Sequence, residues 1–172
     1  DGSKKVLDFQ EGSSESYEVG RDLLRRLDRR GVVFQGRVFA LLDGSPALDK
    51  AVLERWPDAA IQRCLVHKER NLHAHLRRKD HGECSSLMKR LRLAQGAMAG
   101  REALKELTGF VASRNAEALS SLEEAGERLI TLHLLEAPST LNVSLLSTNL
   151  IENLMLNYRR QSCWPLSQFI ID

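Results

Sequence analysis

Arg37-Val38-Phe39-Ala40-Leu41-Leu42-Asp43-Gly44-Ser45-Pro46 carries five consecutive apolar residues closed by Asp-Gly. A strand covered on both faces of a sheet reads in this way, nearly continuous rather than alternating. Ser45-Pro46 then opens a helix, with proline at the first helical position, where its missing N–H is not needed. That helix ends at Trp56-Pro57, and Ala59-Ala60-Ile61-Gln62-Arg63-Cys64-Leu65-Val66 reads as a further, weaker strand. Upstream, a helix is expected from Glu15 to Arg30. Ser13 or Ser14 is available to cap it, its first turn is acidic, and Arg25, Arg26, Arg29 and Arg30 suit the negative end of its dipole. Lys4-Lys5-Val6-Leu7-Asp8-Phe9 before it is a short apolar run and is expected to be a strand.

The order is therefore β-α-β-α-β. After His67 the period changes. Leu87, Leu91 and Leu93, then Leu104, Leu107, Val111 and Leu119, follow helical spacing, and residues 68–136 hold no strand pattern. Pro138 to Leu146 reads as a loop, and a last helix is expected from Asn149 to Arg160. The predicted organisation is α/β: a core over 1–67, an all-helical insertion over 68–138, and a C-terminal return to the core over 139–172.

Composition narrows the class. The 172 residues are 42% hydrophobic and 28% charged, enough for a core and too charged for a membrane protein. No apolar run approaches the roughly 18–20 residues of a membrane span, and no leader-like segment opens the chain. Three cysteines, Cys64, Cys84 and Cys163, are too few and scattered for a disulfide framework, which points to a reducing cytoplasm. Aromatic residues at 5% argue against a single-strand binder built on base stacking. The first residue is not Met and Phe169-Ile170-Ile171-Asp172 stops inside an apolar run, so a piece of a longer protein is expected.

The net charge of +2 conceals a block: residues 63–101 carry 10 basic and 3 acidic side chains, whereas 102–136 carry 3 and 7. A positive block attracts polyanions and fits phosphate contacts. A solvated helix face has the same composition.

Three places could carry chemistry. Asp43 stands at the C-terminal end of the most apolar strand, where open α/β sheets present their functional crevice; locally, Asp43-Gly44 reads first as turn chemistry ahead of the Ser45-Pro46 helix start. Glu152, three residues after Asn149, is a candidate carboxylate, and it also has capping-box spacing. Cys64-Leu65-Val66-His67 has the spacing of half a zinc site, but no second clean pair of ligands follows, so zinc is not expected.

Leu41-Leu42-Asp43-Gly44-Ser45, Trp56-Pro57, Gln62-Arg63-Cys64-Leu65-Val66-His67-Lys68-Glu69-Arg70-Asn71-Leu72 and Ser147-Thr148-Asn149-Leu150-Ile151-Glu152-Asn153 together resemble, in order and spacing, the mutator-type transposases of bacterial insertion sequences. The Q-R-C-x-x-H-x-x-R-N string, which includes Cys64, His67, Arg70 and Asn71, is the most specific part. Thr148 and Asn149 belong to a weaker T-N-x-x-E segment.

The resemblance implies a ribonuclease-H-like core with a helical insertion before the last catalytic carboxylate. It implies Asp43 as the second Asp and Glu152 as the Glu of a D-D-E triad that holds two Mg²⁺ ions, with the two carboxylates within about 10 Å of each other. The first Asp and the first two strands of such a core are expected upstream of residue 1, and Asn153 stands where the family usually has Arg. The activity implied is Mg²⁺-dependent DNA cleavage and strand transfer on double-stranded transposon ends and target DNA. The full protein is expected to be a homo-oligomer at the bacterial nucleoid, with no membrane partner. Arg63, Lys68, Arg70, Arg77, Arg78, Lys79, Arg159 and Arg160 are the expected phosphate contacts. The alternative is a non-catalytic DNA-binding or interaction module, or a degenerate transposase remnant.

Overall fold

The computed structural model describes residues 5–9, 16–149 and 153. Within them the chain is an α/β arrangement dominated by helix, with one pair of strands, β1 (Phe39–Leu42) and β2 (Ala60–Arg63). The pair is parallel: the Ala60 N–H donates to the Val38 carbonyl at 2.8 Å and the Cys64 N–H to the Leu42 carbonyl at 2.7 Å, with the same offset at both ends. Parallel neighbours need a crossover, and α2 (Pro46–Arg55) supplies it, capped by Ser45 with Pro46 in its first turn and ending at Trp56.

Two compact units are distinguished. The first draws on residues 1–40 and 45–60, the second on 41–44 and 61–150. In the first, α1 (Tyr17–Arg29) lies against α2. Its cap is Ser16, whose Oγ accepts from the Val19 N–H, rather than Ser13 or Ser14. Gly20 lets the helices approach closely: a Cβ there would stand 3.1 Å from a Leu48 methyl and 3.4 Å from the Ala51 Cβ. Arg55 grips the Asp28 carboxylate through Nε at 2.8 Å and Nη2 at 2.7 Å.

The strand expected over Lys4–Phe9 is not formed by its described part, residues 5–9. The backbone carbonyls of Leu7 and Phe9 accept from Arg30 and Arg26, and Asp8 pairs with Arg26 at 3.1 Å, so arginines of α1 take the polar groups that a ladder would have used. Val6 and Phe9 stay 64% and 58% exposed, so no apolar face is buried to favour a strand. The expected third strand is also shorter than Ala59–Val66, because Leu65 already opens the next helix.

The second unit contains α3 (Leu65–His75), α4 (His81–Leu93), α5 (Gly96–Ala112), α6 (Ala116–Ala125), α7 (Thr131–Leu134) and α8 (Asn142–Leu145), with single 3₁₀ turns at Arg78–Asp80, Gly126–Leu129 and Ser139–Leu141. As the periodicity predicts, residues 68–136 add no strand. The stretch from Pro138 to Leu146, expected as a loop, instead holds the last 3₁₀ turn and α8. Asn142 fastens it by donating to the Arg92 carbonyl at 3.2 Å, and buried Leu146 accepts from the Leu65 N–H at 2.9 Å.

Leu65, Leu72, Met88, Leu91, Leu107, Leu122, Leu129 and Ile130 fill the core of this unit. The helical block is joined to β2 by polar contacts. Buried Gln62 donates to the Leu129 carbonyl at 2.9 Å and the Arg63 carbonyl at 2.8 Å, and accepts from the Leu132 N–H at 3.0 Å. Thr131 Oγ1 donates to the Ile61 carbonyl at 2.6 Å. Alternate residues of a strand present backbone groups to opposite edges, so the Ile61 and Arg63 carbonyls lie on the edge of β2 away from β1 and are satisfied without a further strand.

His133 is buried with its ring against Gly100, where a Cβ would come within 3.2 Å of its Cγ. Burial holds its pKa below the ordinary histidine value; the Leu91 and Ile130 backbone offsets part of this, without closing a well-aligned hydrogen bond to either ring nitrogen. The neutral ring is therefore the native form. The stabilisation linked to it is complete above the unfolded value of about 6.5 and is lost as pH falls below that toward the lowered native value. Urea melts between pH 8 and pH 5 should show stability declining on the acid side, and His133→Phe should remove part of that decline. Equal pH dependence in both proteins would eliminate His133 as the cause.

Candidate functional site

The strand ends of the second unit bring the sequence motifs together. Asp43 follows β1 and is half-buried. Its neighbour Gly44 has φ +130°, and the Arg63 guanidinium lies directly on it: a Cβ at Gly44 would be 2.3 Å from Arg63 Nη2 and 2.7 Å from Cζ. Glycine is thus required twice at this turn, by the backbone angle and by the approach of the arginine.

Cys64 follows β2, is fully buried, and is tied to the Asp43 strand by the bond from its N–H to the Leu42 carbonyl. Its Sγ accepts from the Thr148 N–H at 3.3 Å and from Thr148 Oγ1 at 3.4 Å. Thr148 Oγ1 also lies 3.2 Å from His67 Nδ1. The C-x-x-H turn thus holds the T-N turn through Thr148. Among the described residues no group of three or more His, Cys, Asp or Glu is placed to share a metal ion.

The histidines further along have other contacts. His73 stacks on His81 with ring centroids 4.3 Å apart, and its Nε2 lies 3.3 Å from Ser85 Oγ, which donates to Glu69 at 2.6 Å. Burial, with Glu69 beside it, pushes the Cys84 thiol up to about 11, so it is protonated at neutral pH.

Two of the expected phosphate contacts are not on the surface. Arg63 and Lys68 are buried, and both reach the same oxygen of Glu124, from Nη2 at 3.0 Å and Nζ at 3.4 Å. Lys68 also donates to the Ser121 carbonyl at 2.6 Å. Burial pushes the Lys68 ammonium below the ordinary lysine range; Glu124 pulls it back up, while Arg63 adds to the lowering.

Arg70 and Asn71 are exposed on α3, and Arg77, Arg78 and Lys79 are exposed at the turn into α4. Arg77 meets Asp80 at 3.3 Å, and Asp80 is also held by Arg114 at 3.4 Å. Asn149 is exposed, its N–H donating to Ser147 Oγ at 3.3 Å. Glu152, Arg159 and Arg160 lie outside the described residues. Sequence reasoning missed Gln62, Ser121 and Glu124. Only Gln62 carried a signal, as the first residue of the Q-R-C-x-x-H string.

The class defined by these features is an α/β domain whose strand-end carboxylate stands beside a C-x-x-H turn, with a helical block attached through that same turn. The family described as "Transposase, Mutator family" matches residues 1–165. The chain belongs to this family.

It is 28% identical over 162 residues to the transposase for insertion sequence element IS905 of Lactococcus lactis, and 31% identical over 162 residues to that for ISRM5 of Rhizobium meliloti. Each alignment covers 94% of this chain and 40% of the relative. Against the transposase for IS1201 of Lactobacillus helveticus it is 27% identical over 168 residues, covering 98% of this chain and 44% of the relative. The chain thus spans less than half the length of these relatives. No helix among the described residues is long and apolar enough to cross a membrane.

Proposed function

We propose that the chain is the central part of the catalytic region of an insertion-sequence transposase, with a ribonuclease-H-like core over 1–67 and 139–172 and a helical insertion over 68–138. The reading rests chiefly on one observation: Thr148, four residues before Glu152, is bonded to Cys64, whose N–H pairs with the strand that ends at Asp43. The turn that precedes Glu152 in sequence is in this way tied to the strand end beside Asp43.

Asp43 and Glu152 are the residues that would hold Mg²⁺, since hard oxygen ligands suit that ion; of the two, the described residues include Asp43 alone. When bound, the metal supplies activation of the attacking oxygen and stabilisation of the leaving one. The chain's own residues orient the carboxylates, and its exposed cations hold DNA phosphates without reading sequence. The third carboxylate of the set would come from outside this chain, and the working enzyme would be a homo-oligomer in the bacterial cytoplasm.

The test is incubation of the full-length protein with Mg²⁺ and DNA carrying the element's ends. Nicks with 3′-hydroxyl termini, followed by joining to target DNA, are the expected result. Binding without cleavage under any divalent cation would establish the non-catalytic module instead.

The DNA path can be tested in this chain. Duplex affinity should fall linearly on a log–log plot against salt, with a slope of about −0.9 per phosphate neutralised. Arg77→Ala, Arg78→Ala and Lys79→Ala together should flatten that slope by about two to three units. Arg114 continues to hold Asp80, so the fold tolerates the change. An unchanged slope would remove these residues from the path.

A further inference from the structure

Arg63 and Lys68 are buried cations in a region expected to meet DNA, and they converge on one oxygen of a carboxylate that is itself 53% exposed. Glu124 stands in the last turn of α6, where the helix dipole disfavours a negative charge. The helix therefore does not hold the carboxylate in this place; the two cations do. Lys68 is anchored independently by the carbonyl and hydroxyl of Ser121, at 2.6 and 3.2 Å, and Arg63 is packed on Gly44, the residue after Asp43. Both cations are thus positioned by groups other than Glu124.

We propose that Arg63 and Lys68 form a seat for one DNA backbone phosphate beside Asp43, and that the Glu124 carboxylate occupies this seat until a phosphate displaces it. The inference rests on the proposed transposase reading, which brings a phosphodiester to Asp43. A phosphate oxygen meets the same requirement as the carboxylate oxygen, an anionic acceptor between a guanidinium and an ammonium. Glu124 loses little on release, because its side chain is already half in water. Seat, glycine turn and strand end belong to the same compact unit. Glu124 would in this way keep the two buried cations paired in the absence of DNA.

Two measurements decide it. Glu124→Gln and Glu117→Gln each remove one negative charge from α6, but Glu117 is 79% exposed and pairs with His75, away from the seat. Glu124→Gln should bind an unrelated duplex about five- to tenfold more tightly than Glu117→Gln at the same salt concentration. Equal affinities would overturn the proposal.

The second measurement needs no variant and decides the matter if Glu124→Gln fails to fold. In wild-type protein titrated with a short duplex, the backbone amide signals of Gly44, Ser121 and Glu124 should shift together and saturate together. Shifts at Arg78 and Lys79 with none at those three positions would reject the seat and leave the DNA reading intact. No shift anywhere would reject both.

Discussion

Asp43→Asn in the full-length protein should abolish cleavage and strand transfer while leaving duplex binding intact. The substitution keeps the size of the side chain and one of its oxygens but removes the charge that a divalent cation requires. A catalytic metal contributes several kcal/mol of charge stabilisation in the transition state, and each 1.4 kcal/mol or so is a factor of ten in rate. Losing its ligand should therefore lower the rate by about a thousandfold or more.

On the proposed reading binding depends on different groups, the exposed cations at the α3–α4 turn, so affinity should hold or rise slightly with one negative charge gone. Glu152→Gln should give the same separation of cleavage from binding. On the proposed reading, in which a third metal-binding carboxylate comes from outside residues 1–172, this chain by itself should bind DNA without cutting it. Gel assays of nicking beside anisotropy measurements of binding decide the matter. Cleavage that survives Asp43→Asn would put the metal site elsewhere in the protein.

Local features of the fold were legible in the sequence where local chemistry dictated them. Ser45-Pro46 starts α2 and Trp56-Pro57 ends it, because a cap and a proline act within a turn of their own position. The strand at Phe39–Leu42 and the helical period after His67 were likewise visible. Lys4–Phe9 was misread because apolarity alone does not make a strand: its described backbone finds arginine donors 17 and 23 positions away, a pairing that no local pattern encodes.

In the site, the motif residues were identifiable, but what each does was not. Lys68 reads as a phosphate contact by resemblance, while Leu65 and Leu72 place it on the buried stripe of α3. The period was present in the sequence, and a lysine masked it. Arg63 needs Glu124, 61 positions away, and Cys64 needs Thr148, 84 positions away. The Cys64-x-x-His67 spacing gives no hint of this contact with Thr148, which only the tertiary structure brings about.

Gly44→Ala should be among the most destabilising single changes in the chain, and the reason separates a turn glycine from one that accommodates a side chain. At φ +130° an alanine is strained whatever surrounds it, at a cost of roughly 1–3 kcal/mol. The added Cβ would also overlap the Arg63 guanidinium. The end of an arginine usually moves aside cheaply, but this one is 4% exposed and paired with Glu124, so retreat means giving up the ion pair inside the unit. Backbone strain and steric overlap together should cost at least about 3 kcal/mol, a fall in melting temperature of roughly 6–12 °C for a domain of this size.

The two causes separate in the Arg63→Gln background, where the shorter side chain leaves the space above Gly44. There Gly44→Ala should cost only the backbone part, a coupling of about 1–2 kcal/mol between the positions. Denaturant melts of the parent, the two single variants and the double variant supply the four numbers. Additive effects would mean that Asp43-Gly44 is turn chemistry alone, as its local sequence also allows, and that the arginine rests beside it without constraining the residue.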